Sequence, residues 1–253
     1  MRCAFCATEG KPSREHIWDA WVSDAYAENG LSGFQFVDHE SDGKPLRSYD
    51  AARIDKIAKV VCEACNTTWM SRLTGEVKQI ARDMIVFGKP KRLVSSDFKT
   101  LSEFAFLKAV VLDSLSQGRA PFWSEDARHA FRKRRELPDG VQVWISSLFE
   151  KRAEGRVWSG YAQAEDHHFP GFEFYTCTYV VGHLVLQLVG KRWTNGRSER
   201  LPIFGQNKYW DDVTTDIWPI HFLPINWPLP KVLNVDRLSP AFRDRWLDLR
   251  GDL

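Results

Sequence analysis

Four of the five cysteines stand in two pairs, Cys3-Ala4-Phe5-Cys6 and Cys62-Glu63-Ala64-Cys65. A Cys-x-x-Cys knuckle offers two thiolates to one tetrahedral ion. Two knuckles therefore complete a four-thiolate site of the structural zinc kind. Such a site ties residue 3 to residue 65 and lets a loop-rich segment fold, because metal binding supplies folding free energy directly. One knuckle on a hairpin and the other at a helix start predicts a treble-clef arrangement. The alternative, four unconnected buried cysteines, fits the paired spacing poorly. An odd cysteine count argues against a pure disulfide framework, and in a reducing compartment paired knuckles are metal ligands more often than disulfides. The fifth, Cys177 in Tyr175-Thr176-Cys177-Thr178-Tyr179, reads as a core residue of an apolar strand.

The second constellation lies beside the knuckles. Glu15-His16 follows the first pair, and Asn66 directly follows the last cysteine. A carboxylate and an amide oxygen are hard ligands suited to Mg²⁺ or Mn²⁺, and an imidazole titrates near neutral pH. Alone, a Glu-His pair is common, and an Asn at a helix start can serve simply as an N-cap. Their joint placement next to two knuckles is what directs attention to chemistry.

The 253 residues are 43% hydrophobic and 27% charged, with a formal net charge of +2. This is the composition of an ordinary globular chain with a real core, and no global basic field advertises a nucleic acid. No apolar run is long enough for a membrane helix, since Tyr179 to Val189 is broken by Gly182 and His183. With no basic and apolar leader at the start, the cytoplasm is the expected location and no membrane partner is expected. Positive charge does cluster, at Lys89, Lys91 and Arg92, at Arg128 and Arg132 to Arg135, and at Lys191, Arg192, Arg197 and Arg200. Each group reads first as a solvated face.

Periodicity organises the rest. Trp21, Val22 and Ala25 predict a short helix over Asp19 to Ala27, and the Gly- and Ser-rich stretch 28–50 reads as loop with a short hairpin. Trp69, Met70, Leu73, Val77 and Ile80 predict a helix from Asn66 to Ala81, weakened by Gly75 and closed by Gly88-Lys89-Pro90. Asp97 to Gln117 is a strong helix whose broad, mainly apolar stripe includes Lys108, and Ser124 caps a second helix running to Glu136. Strand signals follow at Val141–Phe149, Arg156–Gln163, Phe172–Val181 and His183–Val189, with connections short enough for antiparallel pairing. Prolines 202, 219, 224, 228 and 230 predict an extended wrap over that sheet, and Ser239 to Leu249 a closing amphipathic helix. The expected class is α+β. A zinc-bound treble-clef or ββα-metal region spans 1–88 with an insertion at 18–59, and an α+β region of two helices and an antiparallel sheet spans 89–253.

The order Cys-x-x-Cys, Glu-His, Cys-x-x-Cys-Asn, then helix, resembles the HNH or ββα-metal endonucleases, in particular the four-cysteine branch typified by phage recombination endonuclease VII. The run Cys65-Asn66-Thr67-Thr68-Trp69-Met70 is also similar to phage and bacterial HNH-like proteins of comparable length. The resemblance covers about residues 1–80. It implies that Cys3, Cys6, Cys62 and Cys65 hold structural zinc, that Glu15 and Asn66 hold a catalytic Mg²⁺ or Mn²⁺, and that His16 is the general base. It also implies a phosphodiester hydrolase acting on DNA, with RNA as a further candidate substrate, in phage biology or anti-phage defence. The chain departs from the pattern on the helix after Asn66, which lacks the further histidine many relatives carry; Glu76 is the nearest substitute ligand. That departure keeps open a rival expectation, a catalytically inactive zinc-binding module that binds nucleic acid or a protein partner. His39, His129, His167, His168, His183 and His221 receive no role, and Trp158, Trp193 and Trp210 are candidates for base stacking.

Overall fold

The computed structural model describes residues 1–39, 45–54, 56–115, 119–148, 155–163, 170–194, 213–220 and 222–230. The elements run β1 (Glu15–His16), α1 (Ala20–Glu28), β2 (Phe34–His39), β3 (Pro45–Ala51), β4 (Ile57–Ala58), α2 (Glu63–Cys65), a π-helical turn (Asn66–Met70), α3 (Ser71–Phe87), β5 (Lys91–Leu93), α4 (Ser95–Asp113), α5 (Glu125–Arg134), β6 (Gln142–Ser147), β7 (Gly155–Gln163), β8 (Phe172–Val181), β9 (Leu184–Trp193), β10 (Thr214–Trp218) and β11 (Ile225–Trp227). The class is mixed α+β with antiparallel sheets, as the sequence predicts.

Alternation builds the main sheet. Its five strands lie in the order β10-β6-β9-β8-β7, every neighbouring pair antiparallel. Tyr175, Cys177, Tyr179 and Val181 fall on one face of β8, as do Leu184, Leu186 and Leu188 on β9, and all are buried. Helix α4 packs on that face: Tyr175 donates its hydroxyl to the Ala109 carbonyl at 3.2 Å, and Phe104 meets the Tyr179 ring edge-on at 5.5 Å. The β8–β9 turn needs a left-handed residue, which Gly182 supplies at φ 53°. Its neighbour His183 ties that turn to the end of α3, its backbone N–H donating to the Ile85 carbonyl at 3.1 Å.

The helix after the second knuckle runs without a break from Glu63 through the π-turn to Phe87, and Gly88 closes it in the left-handed conformation at φ 61°. Ser124 caps α5 as expected, its Oγ accepting from the Ala127 N–H at 3.2 Å. The predicted loop at 28–50 carries the β2–β3 hairpin, stiffened by Phe36 stacked on Tyr49 at 5.2 Å. One apolar core extends from Cys3 to Trp227 and passes through α3, α4 and the sheet, so the interior is continuous across residue 88.

Two expectations need correction. The proline-rich stretch is not only a wrap: β10 adds an edge strand to the main sheet, β11 pairs with β5, and the buried Trp227 indole donates to the Ser146 carbonyl at 3.0 Å. Aromatic residues directly before Pro219 and Pro228 gave a burial signal that proline counting hid. The basic clusters are solvated only in part: Lys89, Arg92 and Arg132 to Arg134 are exposed, as expected, but other members are tied into the fold. Arg128 donates to the Ala4 carbonyl at 2.6 Å, Lys91 to the Ile80 carbonyl at 2.8 Å, Arg192 pairs with Glu173, and Lys191 is buried against Gln142. Arg197, Arg200, His167, His168, His221, Trp210 and the closing helix at 239–249 lie outside the described residues, as do the side chains of His39 and Trp158.

Candidate metal centre and the Glu15–His16 strand

The two knuckles converge. Their four sulfurs lie within 4.8 Å of one another, with Cys6 Sγ and Cys62 Sγ 3.6 Å apart. The first knuckle turns on Ala7, held in the left-handed region at φ 56°, with its N–H on the Cys3 carbonyl at 3.0 Å. The Cys62 N–H points at Cys3 Sγ from 3.3 Å, a contact that favours thiolate. A hydrogen bond from the Cys65 thiol holds Cys3 far below the ordinary thiol range, at about 4, and the same bond pushes Cys65 up. Four convergent thiols with one already prone to ionise fit a cation that replaces their protons. The cluster can hold a metal ion such as zinc. Behind it Phe5 packs edge-on against Trp69 at 5.0 Å, and Trp69 against Phe131 of α5 at 5.6 Å.

The strand carrying Glu15 and His16 is two residues long and pairs antiparallel with β4, Glu15 opposite Ala58 and His16 opposite Ile57. Asn66 sits at the start of the π-turn, where its side-chain N–H donates to Ser13 Oγ at 2.8 Å and to the Arg14 carbonyl at 3.2 Å. The helix start is thus fastened to the two residues preceding Glu15. His16 and Asn66 are each half-buried, whereas Glu15 is buried.

Glu15 faces α4. Its Oε1 accepts from Lys108 Nζ at 2.9 Å, and the same ammonium reaches Asp19 Oδ1 at 2.9 Å and the His16 carbonyl at 2.7 Å. Lys108 is 1% exposed, Glu15 4% and Asp19 7%, so this is an interior ion cluster. Burial raises the Glu15 carboxyl above its ordinary range, opposed by Lys108 and reinforced by Asp19. The two carboxylates raise Lys108 despite its desolvation. Sequence reasoning gave Lys108 and Asp19 no role. A lysine inside the apolar stripe of α4 was the available signal, because a buried ammonium must be paired.

Glu76 does not join this group. Its carboxylate accepts from Arg135 at 2.8 Å, and Arg135 also grips the buried Glu103. Arg135 commits Glu76 to an ion-pair network on the outer side of α3.

The fold and site together define an α+β protein built around a four-cysteine centre that can hold a metal ion such as zinc. No family model matches the chain, and no curated protein or solved structure matches it either. Among the described residues, no helix is long and apolar enough to cross a membrane.

Proposed function

We propose that this chain is a zinc-stapled, metal-dependent endonuclease of the ββα-metal type, with DNA as the preferred substrate and a role in phage biology or defence. The observation carrying the reading is the order of elements around the cysteines. The β1–β4 antiparallel pair is followed by a helix that begins at the second knuckle, and Asn66 on that helix is hydrogen-bonded to the residues just before Glu15-His16. That is the frame a treble-clef nuclease needs.

In this reading His16 removes the proton from the attacking water. Asn66 turns its amide nitrogen to Ser13 and Arg14, which leaves its Oδ1 as the oxygen for a hard divalent ion. Glu15 contributes through the oxygen that Lys108 does not take. Such an ion, when bound, polarises the phosphate and stabilises the departing 3′ oxygen. A four-thiolate zinc has no open position and serves as scaffold.

The test is nicking of supercoiled plasmid with Mg²⁺ or Mn²⁺. Replacing His16 by Ala should lower the rate about 10²–10⁴-fold, the usual contribution of a general base. Absence of cleavage by folded, zinc-loaded wild type on DNA and RNA would sink this reading. One observation favours a second: Glu15 is buried and already paired with a lysine. A zinc module without catalysis, binding nucleic acid or a protein partner, would keep that ion pair for stability alone.

A further inference from the structure

The Lys108 ammonium rests on three oxygens of different origin, Glu15 Oε1, Asp19 Oδ1 and the His16 carbonyl, at 2.7 to 2.9 Å. Two carboxylates and a carbonyl are the donor set of a hard divalent cation, and Ca²⁺ takes such oxygens at about 2.3–2.6 Å. We propose that this cradle is a cation site that the chain fills with its own lysine. The Lys108 ammonium stands where a divalent ion would otherwise join β1, the start of α1 and the surrounding core.

Three features support this. The cluster holds two acidic groups against one basic group, so with both carboxylates ionised the ammonium leaves one negative charge uncompensated, whereas a divalent ion in its place would balance both. One further oxygen of the cluster, Asp19 Oδ2, is buried and lacks a hydrogen-bond partner among the described residues. Buried oxygens are rarely left unpaired, and Asp19 Oδ2 is an additional ligand that a divalent ion recruits where an ammonium, with three protons already placed, cannot. Finally, the lysine enters from α4 through an apolar wall, its Nζ 5.3 Å from the centre of the Phe104 ring. Removing the charge while keeping the stem therefore leaves a shaped cavity at the cradle.

The cradle borders the catalytic ion proposed above and shares the Glu15 carboxylate with it, but uses the Oε1 that faces Lys108 together with Asp19, and it stands whether or not the chain cleaves nucleic acid. The experiment uses zinc-loaded full-length protein at pH 8 and calorimetric titration with Ca²⁺. The Lys108→Met variant should gain one Ca²⁺ equivalent bound at least ~10-fold more tightly than anything in wild type. Its thermal midpoint should climb with added Ca²⁺, and both effects should vanish when Asp19→Asn is added, since two of the donors come from that residue. Lys108→Gln, which retains a donor to the cradle, carries the same test should the Met variant not fold in the absence of ion. Equal Ca²⁺ binding by wild type and both Lys108 variants, or a gain that survives Asp19→Asn, overturns the proposal. No arm reads cleavage, so failure here and failure of the endonuclease reading are told apart.

Discussion

Lys108 Nζ lies 2.7 Å from the carbonyl oxygen of His16 and 2.9 Å from Glu15 Oε1, so one side chain of α4 holds the backbone of the candidate base and the carboxylate beside it. Truncating a buried, paired lysine strands its partners. Lys108→Ala should cost about 3–5 kcal/mol of stability, the usual penalty for breaking an interior ion pair from one side. Denaturant unfolding measures it. A loss below about 1 kcal/mol would mean that the cluster is as weak as a surface pair.

Glu15 gives the pH dependence a definite sign. Its carboxyl is raised above the ordinary value of 4.5, chiefly by burial, so the folded state holds that proton more tightly than the unfolded chain. Its contribution is fully present below that ordinary value and is lost as pH rises through the raised one. Lys108, itself raised, stays charged throughout. Wild-type stability should therefore fall above pH 4.5 by up to about 1.4 kcal/mol per pH unit from this group, until the raised value is passed. Glu15→Gln should flatten that slope in thermal melts taken across the same range. It should also leave Lys108 and Asp19 as a charge-balanced pair and keep the fold. Identical pH profiles for wild type and variant would exclude Glu15 as the titrating group.

How legible these parts were depends on range. The knuckles, the helix after Asn66, the Ser124 cap and the β8–β9 turn at Gly182 are local patterns, and local patterns are what spacing reports. The Glu15–Lys108 pair joins residues 93 apart in the chain, and no periodicity links them. Lys108 was visible only as a charge at an apolar position of α4. Glu15 read as a ligand because hard-metal ligands and ion-pair partners are the same residue types. Register decides between those roles, and a two-residue strand is too short to reveal it. Strands β10 and β11 were hidden for a related reason. Each ends at a tryptophan followed by proline, and proline signals an interruption without saying what precedes it.

Metal removal separates frame from core. Zinc should bind with one equivalent per chain, and its loss should loosen residues 1–65 first, because the knuckle region leans on the four sulfurs and a small aromatic cluster of Phe5, Trp69 and Phe131. Hydrogen exchange with and without a chelator should show protection lost around Cys3 to Ser13 and Val60 to Met70 while β8 and β9 retain theirs. Cys65→Ser should mimic the chelator. Metal-free protein with unchanged protection in the knuckles would remove zinc from the account.

The same substitution should have opposite signs at two glycines. At Gly190 a Cβ would lie 2.0 Å from the ring of Trp123, which is itself enclosed by Phe106 at 4.8 Å and Tyr175 at 5.8 Å. Neither ring can retreat without moving α4 against the sheet. Gly190→Ala should therefore destabilise by about 3 kcal/mol, at the upper end of overpacking costs. At Gly75 nothing lies within 4 Å of the added atom, and the backbone is helical in the middle of α3. Gly75→Ala should stabilise by about 0.4–1 kcal/mol, through the lower entropy of the unfolded chain and better helix propensity. Thermal melts of the two variants decide both claims. A stable Gly190→Ala protein would mean that the Trp123 ring does not cross β9 where the structure puts it. A destabilised Gly75→Ala protein would mean that the exposed ridge of α3 is covered by something that needs the missing side chain.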